Sequence, residues 1–238
     1  MNRILIYHSI GAHSQAEVGA GLYCVSADNF RKQMEYISKV IKSKERREEN
    51  IIVTFDDGLV DNYTSAYPIL KELGIQAYFF ILVSKIGTEG YMRWEQIKEL
   101  HDNGMTVGSH GMTHRILTEL NDRDLDYELK ESKKILEQRL GLTIDYLSIP
   151  RGFYHQKVIQ KAKEVGYKAI FTSDSKDNAD FKIGRIPVKG NWDLTYFTRV
   201  LNGGVSLKDK TGQWLKNRSK KILGAKVYDI LRTSLLTK

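Results

Sequence analysis

Ile51-Ile52-Val53-Thr54-Phe55-Asp56-Asp57-Gly58 sets two adjacent carboxylates directly after a run of apolar and β-branched residues. Such a run is typical of a buried strand. Residues 60–73 follow with helical periodicity and stop at Gly74, and glycine is the residue that most often ends a helix. The stretch therefore predicts a strand, an acidic turn and a helix, which is the repeating unit of an α/β fold.

The same strand–helix unit recurs on both sides of this stretch. Predicted strands cover residues 3–7, 51–55, 76–83, 105–108, 145–149, 168–172 and 184–188. Predicted helices cover residues 27–42, 60–73, 93–102, 122–140, 155–165 and 193–202, while residues 9–25 have the composition of a loop. About seven strands separated by helices predict a parallel sheet, and a closed or nearly closed barrel is favoured over an open sheet.

Chemically capable side chains follow four of the predicted strands. In a barrel of parallel strands the carboxyl ends lie on one face, and that face holds the active site. We therefore expect the following residues to converge there: His8, Asp56, Asp57, His110, His114, Arg151 and Gly152.

The paired carboxylates and the paired histidines each allow two interpretations. Asp56 and Asp57 repel each other unless a cation or a proton intervenes, but an Asp before a helix can also be a cap. His110 and His114 would face one metal ion if a helical turn begins there, although isolated histidines at this spacing are more often surface or capping residues. Taken together at strand ends, one carboxylate and two histidines favour a catalytic zinc or iron site.

Two motifs are similar to those of the polysaccharide deacetylases, carbohydrate esterase family 4. Thr54-Phe55-Asp56-Asp57-Gly58 resembles their first motif, and Ser109-His110-Gly111-Met112-Thr113-His114 resembles their second. The resemblance extends in family order over about residues 3–200. It implies a distorted (β/α)7 barrel and a metal-dependent enzyme that removes N-acetyl groups from an amino sugar. We accordingly divide the chain into a catalytic domain, residues 1–205, and a tail, residues 206–238.

The resemblance also implies roles for the matching residues. Asp57, His110 and His114 would bind a divalent metal ion, Zn²⁺ in the first place, with Co²⁺ and Ni²⁺ as alternatives. Asp56 would act as the general base that activates water for attack on the acetamide carbonyl. The metal would make this chemistry accessible near neutral pH, because a bound divalent cation acidifies water and polarises the carbonyl.

The third motif differs from the family pattern. Its usual arginine position holds Ser148, and Arg151 falls where an aromatic residue normally sits. The resemblance implies that a backbone N–H near Arg151 and Gly152 stabilises the oxyanion and that this loop, with Tyr154, binds substrate. Arg151 would face a phosphate or carboxylate of the substrate, with an ordinary surface arginine as the alternative. Arg185 is the candidate to orient the general base in place of the missing arginine.

Two further departures concern a hydroxyl and a histidine. Gly111 takes the place of the Ser/Thr of the second motif. The histidine of the last motif, the family's usual general acid, is absent because no histidine follows His155. We predict that His8, at the end of the first strand, is the acid, since a proton donor with a pKa near neutrality is needed. His155 is the second choice, and a His8 that merely packs at a strand end is the alternative.

The positive charge of the chain is concentrated at its end. The net charge is +8, and residues 208–238 alone, with nine Lys/Arg and two Asp, carry +7. Apolar residues recur there at helical spacing, which predicts an amphipathic basic helix. Such a helix could pack on the barrel, lie on an anionic membrane surface or contact nucleic acid. No nucleic-acid motif accompanies it, so nucleic acid is not an expected partner.

Location and substrate follow as weaker expectations. The single cysteine, Cys24, excludes an internal disulfide, and the sequence has no long apolar run and no signal-peptide core. We expect a cytoplasmic protein, peripheral on the inner face of the membrane, that acts on a lipid-linked or nucleotide-linked N-acetyl sugar in surface-glycan assembly. The competing hypotheses are a catalytically silent carbohydrate- or lipid-binding module and a deformylase or amidase that cleaves another C–N bond.

Overall fold

The computed structural model describes residues 3–11, 20–43 and 50–204, and the remaining residues, including the predicted tail, lie outside this part of the chain. The strands are β1 (Arg3–Tyr7), β2 (Ser9–Ile10), β3 (Cys24–Val25), β4 (Ile51–Phe55), β5 (Ala77–Ile81), β6 (Thr106–Ser109), β7 (Tyr146–Ser148), β8 (Ala169–Thr172), β9 (Asn178–Ala179), β10 (Lys182–Gly184) and β11 (Ile186–Pro187). The α-helices are α1 (Ala20–Tyr23), α2 (Ala27–Lys42), α3 (Tyr67–Leu73), α4 (Trp94–Asp102), α5 (Asp122–Asp126), α6 (Ser132–Leu140), α7 (Gln156–Glu164) and α8 (Leu194–Leu201). Two π-helical turns, Asn62–Ala66 and Tyr127–Glu131, and three 3₁₀ turns, Val83–Lys85, Leu117–Glu119 and Pro150–Gly152, complete the helical segments of the described residues.

The main sheet is a nearly closed parallel barrel. Its strand order is β11-β1-β4-β5-β6-β7-β8-β10-β9, and each neighbouring pair from β11 to β10 is parallel. Only the short β9 at the edge runs antiparallel to its neighbour. The predicted (β/α)7 barrel is thus confirmed, with helices between the strands and around the sheet.

The segment that joins the two ends of the sheet differs from its prediction. Residues 184–188 were expected to form one strand, but β10 pairs with β8 at one end of the sheet and β11 pairs with β1 at the other. Arg185 is the single residue between these two strands. The last strand is therefore interrupted where the barrel closes, and Arg185 sits at that junction.

Alternate side chains of the strands serve two separate cores. On β1, Leu5 and Tyr7 join the large core beneath the helices, whereas Ile4 joins a small cluster with Phe80 and Phe171. Because strand side chains alternate between faces, this small cluster fills the barrel interior. The guanidinium carbon of Arg185 lies 5.3 Å from the centre of the Phe80 ring and 5.8 Å from that of Phe171, so Arg185 covers this cluster.

The ends of α2 and α3 lie where the sequence predicted them, whereas the region of residues 9–25 differs from its prediction as a loop. The Ser26 side chain accepts from the Asn29 N–H to cap α2, and Gly74 ends α3 in the left-handed conformation at φ 69°. The described parts of residues 9–25, predicted as loop, instead contain α1 and a two-stranded parallel sheet of β2 and β3. Propensity missed this small sheet because its strands have two residues each and depend on each other. Among the described helices, none is long and apolar enough to cross a bilayer.

Candidate metal and catalytic site

One carboxylate and two imidazoles meet at the carboxyl ends of β4 and β6. Asp57 Oδ1 lies 3.3 Å from His110 Nε2 and 3.6 Å from His114 Nε2. One ligand atom from each of the three residues lies within 4.8 Å of the other two. An oxygen and two nitrogens at this spacing suit a divalent cation such as zinc, and three protein ligands leave a position open for water or substrate. The predicted metal ligands are therefore brought together.

The two histidines converge by a route that the sequence did not indicate. A helical turn was the expected reason for the spacing of His110 and His114, but residues 110–114 form a loop. Gly111 and His114 in this loop are left-handed, with φ 77° and 65°. The expectation of a helical turn was wrong because buried tertiary hydrogen bonds replace the intrahelical ones. Asp57, at φ 73°, is left-handed as well.

Asp56 lies beside the candidate metal ligands, with its Oδ2 4.0 Å from His110 Nε2, and belongs to a buried hydrogen-bond network. Nη1 and Nη2 of Arg185 donate to its Oδ1 and Oδ2 at 2.7 and 2.9 Å, a bidentate ion pair. The Ser148 hydroxyl donates to Asp56 Oδ2 at 2.8 Å and accepts from Arg185 Nη2 at 2.7 Å. Arg185 also donates to Thr54 Oγ1 and to the Thr172 carbonyl. Ser148 occupies the family's usual arginine position. The guanidinium of Arg185, from the junction between β10 and β11, contacts Asp56 beside it.

The surroundings of Asp56 and Asp57 lower the pKa values of both carboxyl groups. Burial acts to raise the pKa of Asp56, but the charges of Arg185 and His110 hold that pKa below its usual value. Burial likewise opposes ionisation of Asp57, and its pKa is lowered because His110 donates to it and His114 and His8 lie near. Burial acts to lower the pKa of His110, and the carboxylates Asp56 and Asp57 outweigh it and raise that pKa. The cluster therefore favours cationic charge between its carboxylates.

His8 borders the same group of charges. Burial lowers the pKa of His8 below its usual 6.5, while Asp57 and Asp56 act in the opposite direction and Arg185 and His110 add to the decrease. Its imidazole packs against the Tyr23 ring, with centroids 5.2 Å apart. Its buried Nδ1 has no hydrogen-bond partner among the described residues. The structure thus places His8 within electrostatic reach of both carboxylates.

The remaining predicted positions lie in and just after the turn that follows β7. Arg151 is left-handed at φ 61° in the turn after β7, and the Gly152 N–H donates to the Ile149 carbonyl at 3.2 Å. The Tyr154 hydroxyl donates to Asp177 at 2.5 Å, so it is engaged with the loop after β8 rather than with the metal ligands. The oxyanion and substrate roles of this turn stay predictions.

His155, the second choice for the acid, has a structural position instead. Its Nδ1 accepts from the Val158 N–H at 3.4 Å at the start of α7. A histidine at this position caps the helix, which favours His8 as the acid.

Sequence reasoning gave no role to the residues that hold the site loops. Glu128, fully buried, accepts from the backbone N–H groups of Met112 and Thr113. Asp61 and Asn62 hold the strand end at His8, because the Asn62 amide donates to the His8 carbonyl at 2.6 Å and Asp61 accepts from Ser9. A buried polar residue inside an amphipathic helical pattern was the only available signal.

A model of the polysaccharide deacetylase family matches residues 43–170, more than half of the chain. The chain belongs to this family. Its members are carbohydrate deacetylases, hydrolases that act on amide C–N bonds, and they generally use a divalent metal ion. The predicted family and enzyme class are confirmed. The matched segment contains Asp56, Asp57, His110 and His114, whereas His8 and Arg185 lie outside it.

Individual relatives are distant and agree on the fold. The YxkH protein of Bacillus subtilis (strain 168) is 27% identical over 196 residues, 78% of this chain and 70% of that protein. The peptidoglycan-N-acetylglucosamine deacetylase of Bacillus cereus is 27% identical over 153 residues, 64% of this chain and 70% of the relative. The structure of the Streptococcus pyogenes deacetylase PplD in complex with acetate superposes with a TM-score of 0.73 at 23% identity, and covers 86% of this chain and 98% of PplD.

Proposed function

We propose that this chain is a divalent-metal-dependent N-deacetylase that removes the acetyl group from an N-acetylated amino sugar in a glycan or glycolipid precursor. The observation that carries the proposal is the Asp57–His110–His114 cluster beside a second carboxylate held by Arg185. One anionic oxygen and two imidazole nitrogens within 4.8 Å of one another are a donor set that suits a divalent cation.

Each residue of the site has a distinct task in this proposal. Asp57, His110 and His114 hold the metal ion, which, when bound, polarises the acetamide carbonyl and acidifies water. Asp56 is the general base and receives the proton of the attacking water at Oδ2, the oxygen that lies 4.0 Å from His110 Nε2. The ion pair with Arg185 keeps Asp56 ionised at neutral pH and fixes its orientation.

His8 is the proposed general acid. Its position at the end of β1 brings it near both carboxylates, and they partly offset the effect of burial on its pKa. Protonated His8 donates to the amine nitrogen as the C–N bond breaks, which yields acetate and the free amino sugar. This assignment supplies a proton donor although the chain lacks the histidine of the family's last motif.

The substrate class and the location are proposed on separate grounds. A relative is named for N-acetylglucosamine in peptidoglycan, which supports an N-acetylated glycan substrate. Arg151, in the turn after β7, is a candidate contact for a phosphate or carboxylate of that substrate. The basic tail, the membrane contact and the cytoplasmic location are proposals from composition alone, because residues 205–238 lie outside the described residues.

The first test measures metal content and deacetylation together, on a panel of N-acetylhexosamine oligosaccharides and N-formyl analogues. Wild type is expected to hold about one divalent ion per chain and to release amine. Asp57→Asn should lose both, since Asn tolerates the left-handed backbone but lacks the anionic oxygen. Asp102→Asn, at an exposed residue paired with Lys98, is the matched control and should keep both.

Two other outcomes would contradict parts of the proposal. A wild type that stays metal-free in excess zinc but binds the oligosaccharides would favour the silent binding module, and release from the formyl analogues alone would favour a deformylase. His8→Gln should keep the metal and lose about 10²–10⁴-fold in turnover. Unchanged turnover in His8→Gln would refute only the assignment of the acid.

A further inference from the structure

We propose that Glu128 is a positioning residue that holds the loop of residues 110–114 in the conformation in which His110 and His114 face Asp57. This inference rests on the proposed metal site and goes beyond it, because it assigns a role to a residue outside the Asp57, His110 and His114 cluster. It predicts that metal affinity depends on a carboxylate outside the ligand set.

Three donors of the loop converge on this one carboxylate. The N–H groups of Met112 and Thr113 both donate to Glu128 Oε2 at 2.9 Å. The Thr113 hydroxyl donates to Oε1. Glu128 and Met112 are buried, so removal of the carboxylate would leave the Met112 N–H unsatisfied away from water, whereas the donors of the exposed Thr113 can turn to solvent. The loop has two left-handed residues and cannot satisfy them by helical hydrogen bonds.

The position of Glu128 depends on an irregularity of its helix. The π-helical turn Tyr127–Glu131 separates α5 from α6 and carries Glu128. Ser132 follows, and its hydroxyl donates to the Glu128 carbonyl at 2.6 Å and lies 2.9 Å from Ser109 Oγ. Ser109 Oγ in turn accepts from the Gly111 N–H at 3.1 Å. The turn and the residue after it therefore support residues 111–113 of the loop, and such insertions in helices are frequent at functional sites.

The absence of a side chain at Gly111 leaves room for the Glu128 carboxylate. A Cβ at position 111 would stand 3.0 Å from Glu128 Oε2 and 3.4 Å from Pro150 Cγ. A Ser or Thr there would therefore require the carboxylate to shift by a few tenths of an ångström, in addition to straining a backbone at φ 77°. The departure from the family pattern at residue 111 thus has a physical counterpart in the place that Glu128 occupies.

Other contacts are expected to keep the protein folded when Glu128 is changed. The Gly111 and Met112 carbonyls accept from the Val83 and Ser84 N–H groups at 3.2 and 2.9 Å. These bonds attach the loop to the turn after β5. Removal of Glu128 should therefore free the N–H groups of Met112 and Thr113, while the carbonyl bonds keep the loop attached to the barrel.

The test compares Glu128→Ala and Glu128→Gln with wild type, by zinc affinity in competition with a chromophoric chelator and by amide hydrogen exchange of the metal-free proteins. Glu128→Ala should bind zinc about 10–100-fold more weakly, as for other residues that orient metal ligands. Its Met112 and Thr113 amides should exchange faster. Glu128→Gln keeps an acceptor oxygen and should stay within a few-fold of wild type. Glu131→Gln, on the exposed side of the same turn, is the matched control.

Gly111→Ala is a second route to the same result, because its Cβ displaces the carboxylate without removing it. Its control is Gly74→Ala, where the backbone is left-handed too but a Cβ would meet nothing within 4 Å. Gly111→Ala should lose zinc affinity and Gly74→Ala should not. This pair also serves if Glu128→Ala does not fold.

Several results would overturn the inference. A folded Glu128→Ala with wild-type zinc affinity and wild-type exchange at residues 112 and 113 would show that the loop holds itself. Equal losses in Glu128→Ala and Glu128→Gln would assign the effect to charge instead of position. A wild type without zinc affinity would refute the proposed metal site as well, whereas a zinc-binding wild type with an indifferent Glu128→Ala would refute this inference alone.

Discussion

Asp56 and Asp61 are both buried near the carboxyl ends of the strands, and their surroundings move their pKa values in opposite directions. Asp56 has a guanidinium partner, which stabilises the ionised form. Among the described residues Asp61 has no cationic partner, and burial raises its pKa to about 6 although Ser9 and Asn62 donate hydrogen bonds to it. At the scale of single residues, a charged partner therefore decides whether the pKa of a buried carboxyl group falls or rises.

This contrast predicts a pH-dependent stability that belongs to Asp61. Its pKa rises from 3.8 in the unfolded chain to about 6 in the folded protein, so its stabilisation is full below pH 3.8 and is lost as the pH rises through 6. Between pH 4 and 7 the free energy of unfolding of wild type relative to Asp61→Asn should fall by about 2 kcal/mol. Urea unfolding of both chelator-treated proteins from pH 4 to 7 measures it. A constant difference would contradict the raised pKa.

At the scale of elements, the interrupted closing strand determines the surroundings of the proposed base. β10 and β11 pair with opposite ends of the sheet, and the residue between them, whose N–H still donates to the Thr172 carbonyl of β8, stands at their junction. Arg185 occupies that point and extends its guanidinium over the inner aromatic cluster to Asp56. Thr54 and Ser148, on β4 and β7, complete its polar contacts. Closure of the barrel and orientation of the base thus depend on one side chain.

We predict that Arg185→Met is much more harmful than an exposed arginine substitution. The change leaves the Asp56 carboxylate buried without its cation, and breaking a buried pair costs about 3–5 kcal/mol. Arg185→Lys keeps the charge but cannot reproduce the bidentate contact, so its stability should lie between the two. Arg123→Met on the exposed side of α5 is the control. Thermal and urea unfolding measure the effect, and a loss in Arg185→Met no larger than in the control would contradict it.

The two π-helical turns share a task at this scale. Asn62–Ala66 begins beside Asp61 and carries Asn62, which holds the strand end at His8, and Tyr127–Glu131 carries Glu128, which holds the histidine loop. An inserted residue shifts the helical register and directs a polar side chain toward the sheet. Both turns therefore act as supports for loops of the site.

At the scale of the whole molecule, the barrel collects its site from distant parts of the chain. Asp56 and Arg185 are 129 positions apart, and Asp56 and Ser148 are 92 apart. Only a closed arrangement of parallel strands brings β4, β6, β7 and the closing segment to one mouth. An ion bound there joins strand ends that are not adjacent in sequence, so it is expected to stabilise the folded chain as a unit.

Metal removal should consequently lower the melting temperature. A ligand present at about 100 times its dissociation constant stabilises a folded protein by about 2.7 kcal/mol, provided that it does not bind the unfolded chain. We expect chelator treatment to lower the transition of wild type, zinc to restore it, and Asp57→Asn to respond to neither. Differential scanning calorimetry with and without zinc measures this. Equal shifts in wild type and Asp57→Asn would assign the effect to sites other than the proposed one.

Much of this protein could be predicted from sequence because the signals are local. Periodicity of apolar residues identified the strands and helices, Gly74 and Ser26 marked helix ends, and polar residues at strand ends marked the face of the site. Asp57, His110 and His114 were found because their types and spacings are themselves the chemistry of a metal site. These features act over a few residues, so they can be inferred without knowing which strands become neighbours.

The tertiary structure alone decided how the site is held. The left-handed loop between His110 and His114, the three hydrogen bonds to Glu128 and the interruption of the last strand at Arg185 all depend on groups far apart in sequence. Their energies come from burial and from hydrogen-bond partners supplied by other elements, which no local pattern contains. The sequence by itself determined the fold class and indicated the candidate ligand residues, and the nearly closed barrel decided their conformation, because only packing sets which buried polar groups must satisfy one another.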